Sequence, residues 1–463
     1  MPLLLTSLLS LALLAAALLL FLFIVRRMYS SDAASGQRGL RPAVGAEADA
    51  IGLTTAPVGV QHGPPPMRWL RRRFGRQPAL IIPPGACAAI IPAHNEAAVI
   101  AATLRSMMGV YHPEDIYVFC DNCSDRTAAI AREHLPERNV LIGATQLGKS
   151  RGLEYVLKTY IFPRDYQYVT IIDADTTVAP QFLQSTLKTL RYKDIACAVG
   201  QVRSRWYANN LIAVYRTYVY TVWQLVYKQL QSLTNSISIA SGCSTTWKTR
   251  VLKQLEFDHR MSTEDFSLTM QVHRKRLGKI KYVRGAVVWT QEPFTIASYR
   301  KQMYRWDRAW WESVRKYKVG LRWFHLRRGL PVGVSVIDVS TALLTIDISV
   351  FMLSVLALPL LLIHPVDLHV WFMDVHSRAA VIQLLAWQYA SVLITAFAVS
   401  VVTRRPRVFF YSPLFLLLLY LDIMVTFRAV GSTVRSQYQQ LRTVSSGQPE
   451  ASIWISPERR QEV

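Results

Sequence analysis

Three kinds of hydrophobic pattern succeed one another along this chain. Long unbroken apolar runs lie near both ends, at 3–25 ("LLLTSLLSLALLAAALLLFLFIV") and at about 333–363, 379–402 and 408–427. Between them, short apolar runs of strand length end in polar loops: "ACAAIIPAHNE" from 86, "DIYVFCDNCSD" from 115 and "YVTIIDADT" from 168. Helical spacing follows the first two, over about 97–109 and 125–134. Apolar strands alternating with helices predict βαβ units and a mainly parallel sheet, an α/β domain of Rossmann type. Such sheets bind ligands beyond the carboxyl ends of their strands. His94, Asn95 and Glu96, then Asp121 and Asn122, then Asp173 and Asp175 stand there.

The terminal runs read as membrane segments. The first carries no charge and exceeds the roughly 20 apolar residues that cross a bilayer. No clear small-residue cleavage site follows it, which predicts a retained anchor. Arg26 and Arg27 directly after it place the following chain in the cytoplasm, and "TRRPR" (403–407) falls on the same side if the late segments run out, in and out. The expected plan is an anchor at 1–27, a Pro/Gly/Ala-rich basic linker at 28–85 and a cytoplasmic catalytic domain at 86–295. Interfacial amphipathic helices follow at 296–332, then a membrane region of about three helices at 333–430 and a polar tail at 431–463. A multi-pass protein of the cell (plasma or inner) membrane is predicted.

Charge narrows the partners. Among 463 residues the formal net charge is +23, spread along the middle region and the segment flanks. Anionic lipid headgroups and an anionic substrate account for that spread better than nucleic acid, which calls for a concentrated basic stripe. All five cysteines fall in the predicted cytoplasmic region, where disulfides are not expected. Cys120 and Cys123 form a lone C-x-x-C without the second ligand pair that zinc needs.

Four stretches carry candidate chemistry. Asp173 and Asp175, two apart, point the same way on an extended segment; they are either an Asp-rich turn or a pair held together by Mg²⁺ or Mn²⁺ on a phosphate. Glu264 and Asp265 in "MSTEDFSLTM" offer a general base, and the same letters suit a helix start capped by Ser262 or Thr263. Lys149 and Arg151 in "QLGKSRGLEY" stand among glycines before a helix, where anions are favoured. In "QMYRWDRAWW" (302–311), Gln302, Arg305 and Trp306 share one helix face. An amide, a fixed cation for a diphosphate and a ring for a sugar make them substrate ligands; interface anchoring suits Trp310 and Trp311.

Taken in order, "IPAHNE", "DNCSD", "DAD" at 173–175, "TED" at 263–265 and Q-x-x-R-W at 302–306 resemble the membrane-embedded family 2 glycosyltransferases. That group includes cellulose, chitin, hyaluronan and poly-N-acetylglucosamine synthases and the nodulation chitooligosaccharide synthases. The resemblance covers about 86–330 and implies a GT-A-like domain in an α-helical membrane protein. It implies that Asp121, with Asn95, Glu96 and Lys149 nearby, holds the UDP part of the donor. Asp173 would contact the nucleotide, Asp175 would bind the divalent metal, and Asp265 beside Glu264 would deprotonate the acceptor hydroxyl, inverting the anomeric carbon. Gln302 and Arg305 would hold the diphosphate and Trp306 would stack on the acceptor. The implied reaction extends a β-linked polysaccharide processively from a UDP-sugar such as UDP-N-acetylglucosamine or UDP-glucose, coupled to export. The alternative is addition of one sugar to a lipid-phosphate or lipid-linked acceptor. Two features depart from the pattern: "DNC" replaces the usual acidic-glycine loop, and "DRAWWE" follows Trp306 where many relatives have a small Arg-Gly pair. So few spans leave an export channel to be completed by a partner subunit or a dimer.

Overall fold

The computed structural model describes residues 84–317 and 375–442. The expected anchor at 3–25, nearly all of the linker, the apolar run at 333–363 and the end of the tail lie outside the described residues. Chain order is β1 (Cys87–Ala93), α1 (Ile100–Met108), β2 (Ile116–Asp121), α2 (Thr127–Arg132), β3 (Val140–Gly143), α3 (Lys149–Val156), β4 (Tyr168–Ile171), β5 (Thr176–Val178) and α4 (Phe182–Leu190). Then come β6 (Ile195–Ser204), α5 (Leu211–Val222), α6 (Lys228–Leu233), β7 (Thr245–Lys248), α7 (Thr249–Leu252), α8 (Glu264–Arg274), β8 (Lys279–Thr290) and α9 (Ile296–Tyr317). After the undescribed stretch follow α10 (Val375–Thr403), α11 (Arg407–Tyr411) and α12 (Phe415–Arg442).

Eight strands form one sheet in the order β3-β2-β1-β4-β7-β6-β8-β5. The β3-β2-β1-β4 half is parallel, as the strand–helix alternation predicts. Beyond it the sheet is mixed. β7 runs antiparallel to both β4 and β6, β8 is parallel to β6, and β5 closes the edge antiparallel to β8. Alternate residues of β1 serve opposite faces: Cys87, Ala89, Ile91 and Ala93 enter one core with Leu104 and Val118, while Ala88 and Ile90 enter the other with Tyr117 and Phe119. Burial on both faces explains the unbroken apolar run of the sequence. Gly152 lets α3 lie against β2, since a Cβ there would stand 2.4 Å from a ring carbon of Phe119.

Topology fixes the site. The parallel strands β1, β2 and β4 deliver their polar loops to one edge. Antiparallel pairing of β4 with β7 sets Thr245 opposite Ile171, so the segment before β7 emerges beside "DAD". A third core joins α5, α9, α10 and α12 through Tyr215, Tyr299, Met303, Val399 and Phe415. Among the described residues, one helical stretch, 407–435, is long and apolar enough by length and composition to cross a membrane; 389–403 is apolar but shorter.

Candidate active site

At the end of β2, Asp121 is fully buried and its oxygens accept the backbone N–H groups of Leu147 at 2.7 Å and Gly148 at 2.8 Å. It thereby shapes the turn leading into α3, where Gly148 adopts a left-handed φ of 83°. Asn95, also left-handed, accepts the Ser124 N–H at 2.8 Å, and the Glu96 N–H donates to Thr127 at 2.8 Å. These three expected donor ligands all tie strand-end loops to each other. Glu96 is buried beneath them.

Lys149, the first residue of α3, is the hub. Its ammonium donates to Asp173 at 2.6 Å and lies 3.2 Å from a Glu264 oxygen. Burial alone would lower the lysine, but Asp173, Glu264 and Asp265 together outweigh it and hold it above the ordinary lysine value. Burial raises Glu264, Lys149 opposes that rise, and Asp265 reinforces it. Gly242 is needed because a Cβ would meet Glu264 at 3.1 Å and Lys149 at 3.2 Å. Its N–H also approaches an Asp265 oxygen at 3.4 Å. Next to it, burial pushes the Cys243 thiol well up, with Asp173 and Asp175 acting in the same direction. The structure therefore brings Lys149, Asp173, Asp175, Gly242, Cys243, Glu264 and Asp265 together. Gly242 and Cys243 lie in "SGCSTTW" (241–247), a stretch the sequence marks for sugar-pocket contacts without singling out either residue.

Among the described residues no group of three or more His, Cys, Asp or Glu side chains could hold a metal by itself. Mg²⁺ and Mn²⁺ do not need such a cage, because one or two carboxylates with substrate phosphates suffice. The Asp173 side chain is 36% exposed, with one oxygen on Lys149, and Asp175 lies near it behind hydrogen bonds from Thr176 and Thr290. That donor set fits an ion completed by a diphosphate.

The capping expectation for α8 is corrected. Thr263 is the N-cap by backbone geometry, yet its hydroxyl makes no cap bond and is buried without a partner among the described residues. Ser262 bonds instead to Glu312 of α9, its N–H at 2.8 Å and its hydroxyl at 3.2 Å. A remote side chain holds the residue before the cap, and the Phe266 N–H of the first turn goes to the Asp265 carboxylate instead of a capping hydroxyl.

On α9, Gln302 Oε1 and Arg305 Nε are buried without a hydrogen-bond partner among the described residues. Trp306 has the Arg216 guanidinium 4.9 Å from its ring centroid, so one side of the indole is occupied. Arg216, buried on α5, is held by Glu292 at 2.8 Å and also stacks on Tyr220 at 4.6 Å. Trp310 packs on Phe266 of α8 with centroids 5.4 Å apart, so that ring docks α9 against the catalytic domain. The unusual "DRAWWE" residues are joints: Asp307 accepts the Thr426 hydroxyl of α12 at 2.6 Å, and Glu312 accepts from Ser262.

A mixed α/β sheet with acidic groups gathered past its strand ends is a GT-A-like fold. Residues 83–309 match the model described as "Glycosyltransferase like family 2", and this stretch is a glycosyltransferase family 2 domain. The chain is similar to a poly-β-1,6-N-acetyl-D-glucosamine synthase of Staphylococcus epidermidis, 28% identical over 245 residues, covering 50% of this chain and 58% of that one. It is similar to the synthase of the same name from Staphylococcus aureus, 27% identical over 47% of this chain and 52% of that one. The chain thus spans about half the length of the curated relatives it matches. Among solved structures it is similar to a mannosyltransferase from Pyrobaculum calidifontis in complex with GDP-mannose and Mn²⁺. Identity there is 16% over 75% of this chain and 92% of that one, with a TM-score of 0.48.

Proposed function

We propose that the chain is an inverting, metal-dependent glycosyltransferase that extends a β-linked polysaccharide processively from a UDP-sugar, with UDP-N-acetylglucosamine as the first donor to try. The observation that carries this reading is the knot of Asp173, Lys149, Glu264 and Asp265 within a family 2 domain. The names of the relatives favour an N-acetylglucosamine polymer over a single transfer to a lipid-linked acceptor.

In this reading Asp175 and Asp173 would hold Mg²⁺ or Mn²⁺, which would supply neutralisation of charge on the leaving diphosphate. Gln302 and Arg305 bind the diphosphate with the polar atoms the fold leaves unpartnered. Lys149, already charged, moves its hydrogen bonds toward the phosphate as UDP departs. Asp265 takes the proton from the acceptor hydroxyl as its oxygen attacks the anomeric carbon from the opposite side. Trp306 offers the acceptor the ring side not covered by Arg216. Asp121 sets the turn that aims Lys149; a bond to uracil would use lone pairs left on the same two oxygens. The exposed stripe Leu417, Tyr420, Met424 and Phe427 on α12 meets lipid, in a multi-pass protein whose catalytic domain is cytoplasmic. A partner subunit or a second copy would complete the export path.

The test is UDP release from single UDP-sugars by the full chain in lipid nanodiscs with Mg²⁺ or Mn²⁺, followed by product sizing. Sustained release into long polymer supports the proposal. Release only after adding a lipid acceptor, with one sugar transferred, replaces it with single transfer.

A further inference from the structure

The helix that presents the proposed base does not fix its own start. Among the described residues Thr263 leaves its hydroxyl unbonded at the cap, and Asp265 accepts the adjacent Phe266 N–H on Oδ1 at 2.9 Å and the Gly242 N–H on Oδ2 at a longer 3.4 Å. Lys149 and Gly242 touch the first turn itself, and what anchors the residues just before it comes from α9. Glu312, its side chain 13% exposed, accepts the Ser262 N–H on Oε2 at 2.8 Å and the Ser262 hydroxyl on Oε1 at 3.2 Å. Arg308, one turn earlier, donates from Nε to the same Oε1 at 2.8 Å and so aims the carboxylate at Ser262. Further contacts clasp the same part of α8. Trp310 packs on Phe266, and the Tyr317 and Ser267 hydroxyls bond at 2.7 Å.

We infer that Glu312 is a positioning residue for the base. By holding Ser262, three residues upstream, it sets where the Asp265 carboxylate stands relative to the acceptor hydroxyl. The inference rests on the proposed role of Asp265 and adds to it a residue that touches no substrate. A shift of about 1 Å in a reacting group can cost about 100-fold in rate. Loss of the Ser262 anchor therefore acts on the chemical step, while donor binding, built from Asp173, Gln302 and Arg305, stays intact. A purely structural Glu312 would instead lower thermal stability and the active fraction without separating kcat from KM.

The experiment uses the full chain in nanodiscs with UDP-N-acetylglucosamine and Mg²⁺, comparing wild type, Glu312→Ala, Glu312→Gln and Asp265→Asn by UDP release, with thermal unfolding alongside. Glu312→Ala is expected to lower kcat at least about 10-fold with donor KM within about twofold. Glu312→Gln, which keeps a carbonyl for the Ser262 N–H, is expected to recover to within about threefold of wild type. Wild-type kcat in Glu312→Ala, a rise in KM matching the fall in kcat/KM, or a Gln variant as poor as Ala would each overturn the inference. If Glu312→Ala does not fold, Ser262→Ala removes one of the two bonds and leaves α9 whole. A kcat lowered about threefold at constant KM then supports the inference, and an unchanged kcat overturns it. An active wild type silenced by Asp265→Asn but indifferent to Glu312 refutes Glu312 alone. An active Asp265→Asn refutes the base itself, and the inference with it.

Discussion

At the end of β2, Asp121 gives each carboxylate oxygen to a backbone N–H, whereas at the end of β4 and the start of α8 three carboxylates crowd around one lysine. The first arrangement is closed: its charge-assisted bonds build a turn. The second is held far from electrostatic comfort. Burial raises Glu264, and on α9 Gln302 and Arg305 keep buried polar atoms without partners among the described residues. Buried polar groups without partners cost about 1–3 kcal/mol each, so a fold retains them where something else completes them. A buried carboxyl pushed up among crowded neighbours, as Glu264 is, marks chemistry, and a saturated one marks construction. In the proposed reading the loops after β1 and β2 frame the site, while the loop after β4, the segment before β7 and the start of α8 carry its chemistry, with Lys149 reaching in from α3.

The largest expected effect tests that division directly. Asp265→Asn should reduce UDP release on the order of 10³-fold at unchanged thermal midpoint, because only proton transfer is lost. Asp121→Asn should do the reverse, destabilising the domain by about 1–3 kcal/mol as one backbone N–H loses its carboxylate, with turnover per folded molecule falling less than about 10-fold. Denaturation midpoints set against kcat for the two variants decide it. Equal behaviour would dissolve the distinction.

Lys149→Met sharpens the second region. It removes the cation between Asp173 and Glu264, and breaking such a buried pair from one side costs about 3–5 kcal/mol. Activity should fall at least about 100-fold with it. A second substitution, Glu264→Gln, should restore part of the stability without restoring turnover, since it removes a stranded charge but returns no ammonium. Recovery of turnover would show that Lys149 serves only to neutralise Glu264.

How much of this was legible in the sequence depends on how local the cause is. β1, β2 and β4 announce themselves because burial on both faces demands unbroken apolar runs, and the polar letters after them had to fall at the strand ends. β8 hides a readable signal, apolar Ile280 and Tyr282 alternating with Lys279 and Lys281. Its place between β6 and β5 is set by pairings that no short window contains. "STED" suggested a self-capped helix, and the true anchor, Glu312, sits 50 residues later. Arg216 did leave a trace: it is the lone charge in "LIAVYRTYVYTV", the mark of a buried cation with a remote partner, here Glu292.

Asp307 carries the crowding toward the apolar helix. Burial and then the nearby Asp422 push it up from the ordinary 3.8 to about 6, although Thr426 donates to it. A carboxyl whose folded pKa is raised favours its neutral form. Its contribution to stability is complete below the ordinary aspartate range and is lost as pH rises through about 6. Asp307→Asn, which stays neutral, should match wild type near pH 4 and exceed it at pH 7.5 by about 1–3 kcal/mol, read from thermal unfolding in nanodiscs. A variant less stable at the higher pH would show that the ionised carboxylate is what Thr426 holds.

The smallest effect is expected back in the first region, at the thiol pair after β2. A hydrogen bond from Cys120 lowers the Cys123 thiol to about 7; burial opposes, and the Asn95 N–H donates at 3.4 Å. Cys120, wholly buried, is pushed up by the same bond and by its burial. Alkylation followed by mass spectrometry should therefore modify Cys123 first, at a rate that climbs through about pH 7 and then levels. Cys120→Ala should move that midpoint back toward the ordinary thiol value. Because the sulfur belongs to a loop joined to its neighbours rather than to the carboxylate knot, small-adduct modification should lower turnover by less than about threefold. Complete loss of turnover on alkylation, with the fold intact, would place the Cys123 loop within the reacting centre and break the contrast between the two regions.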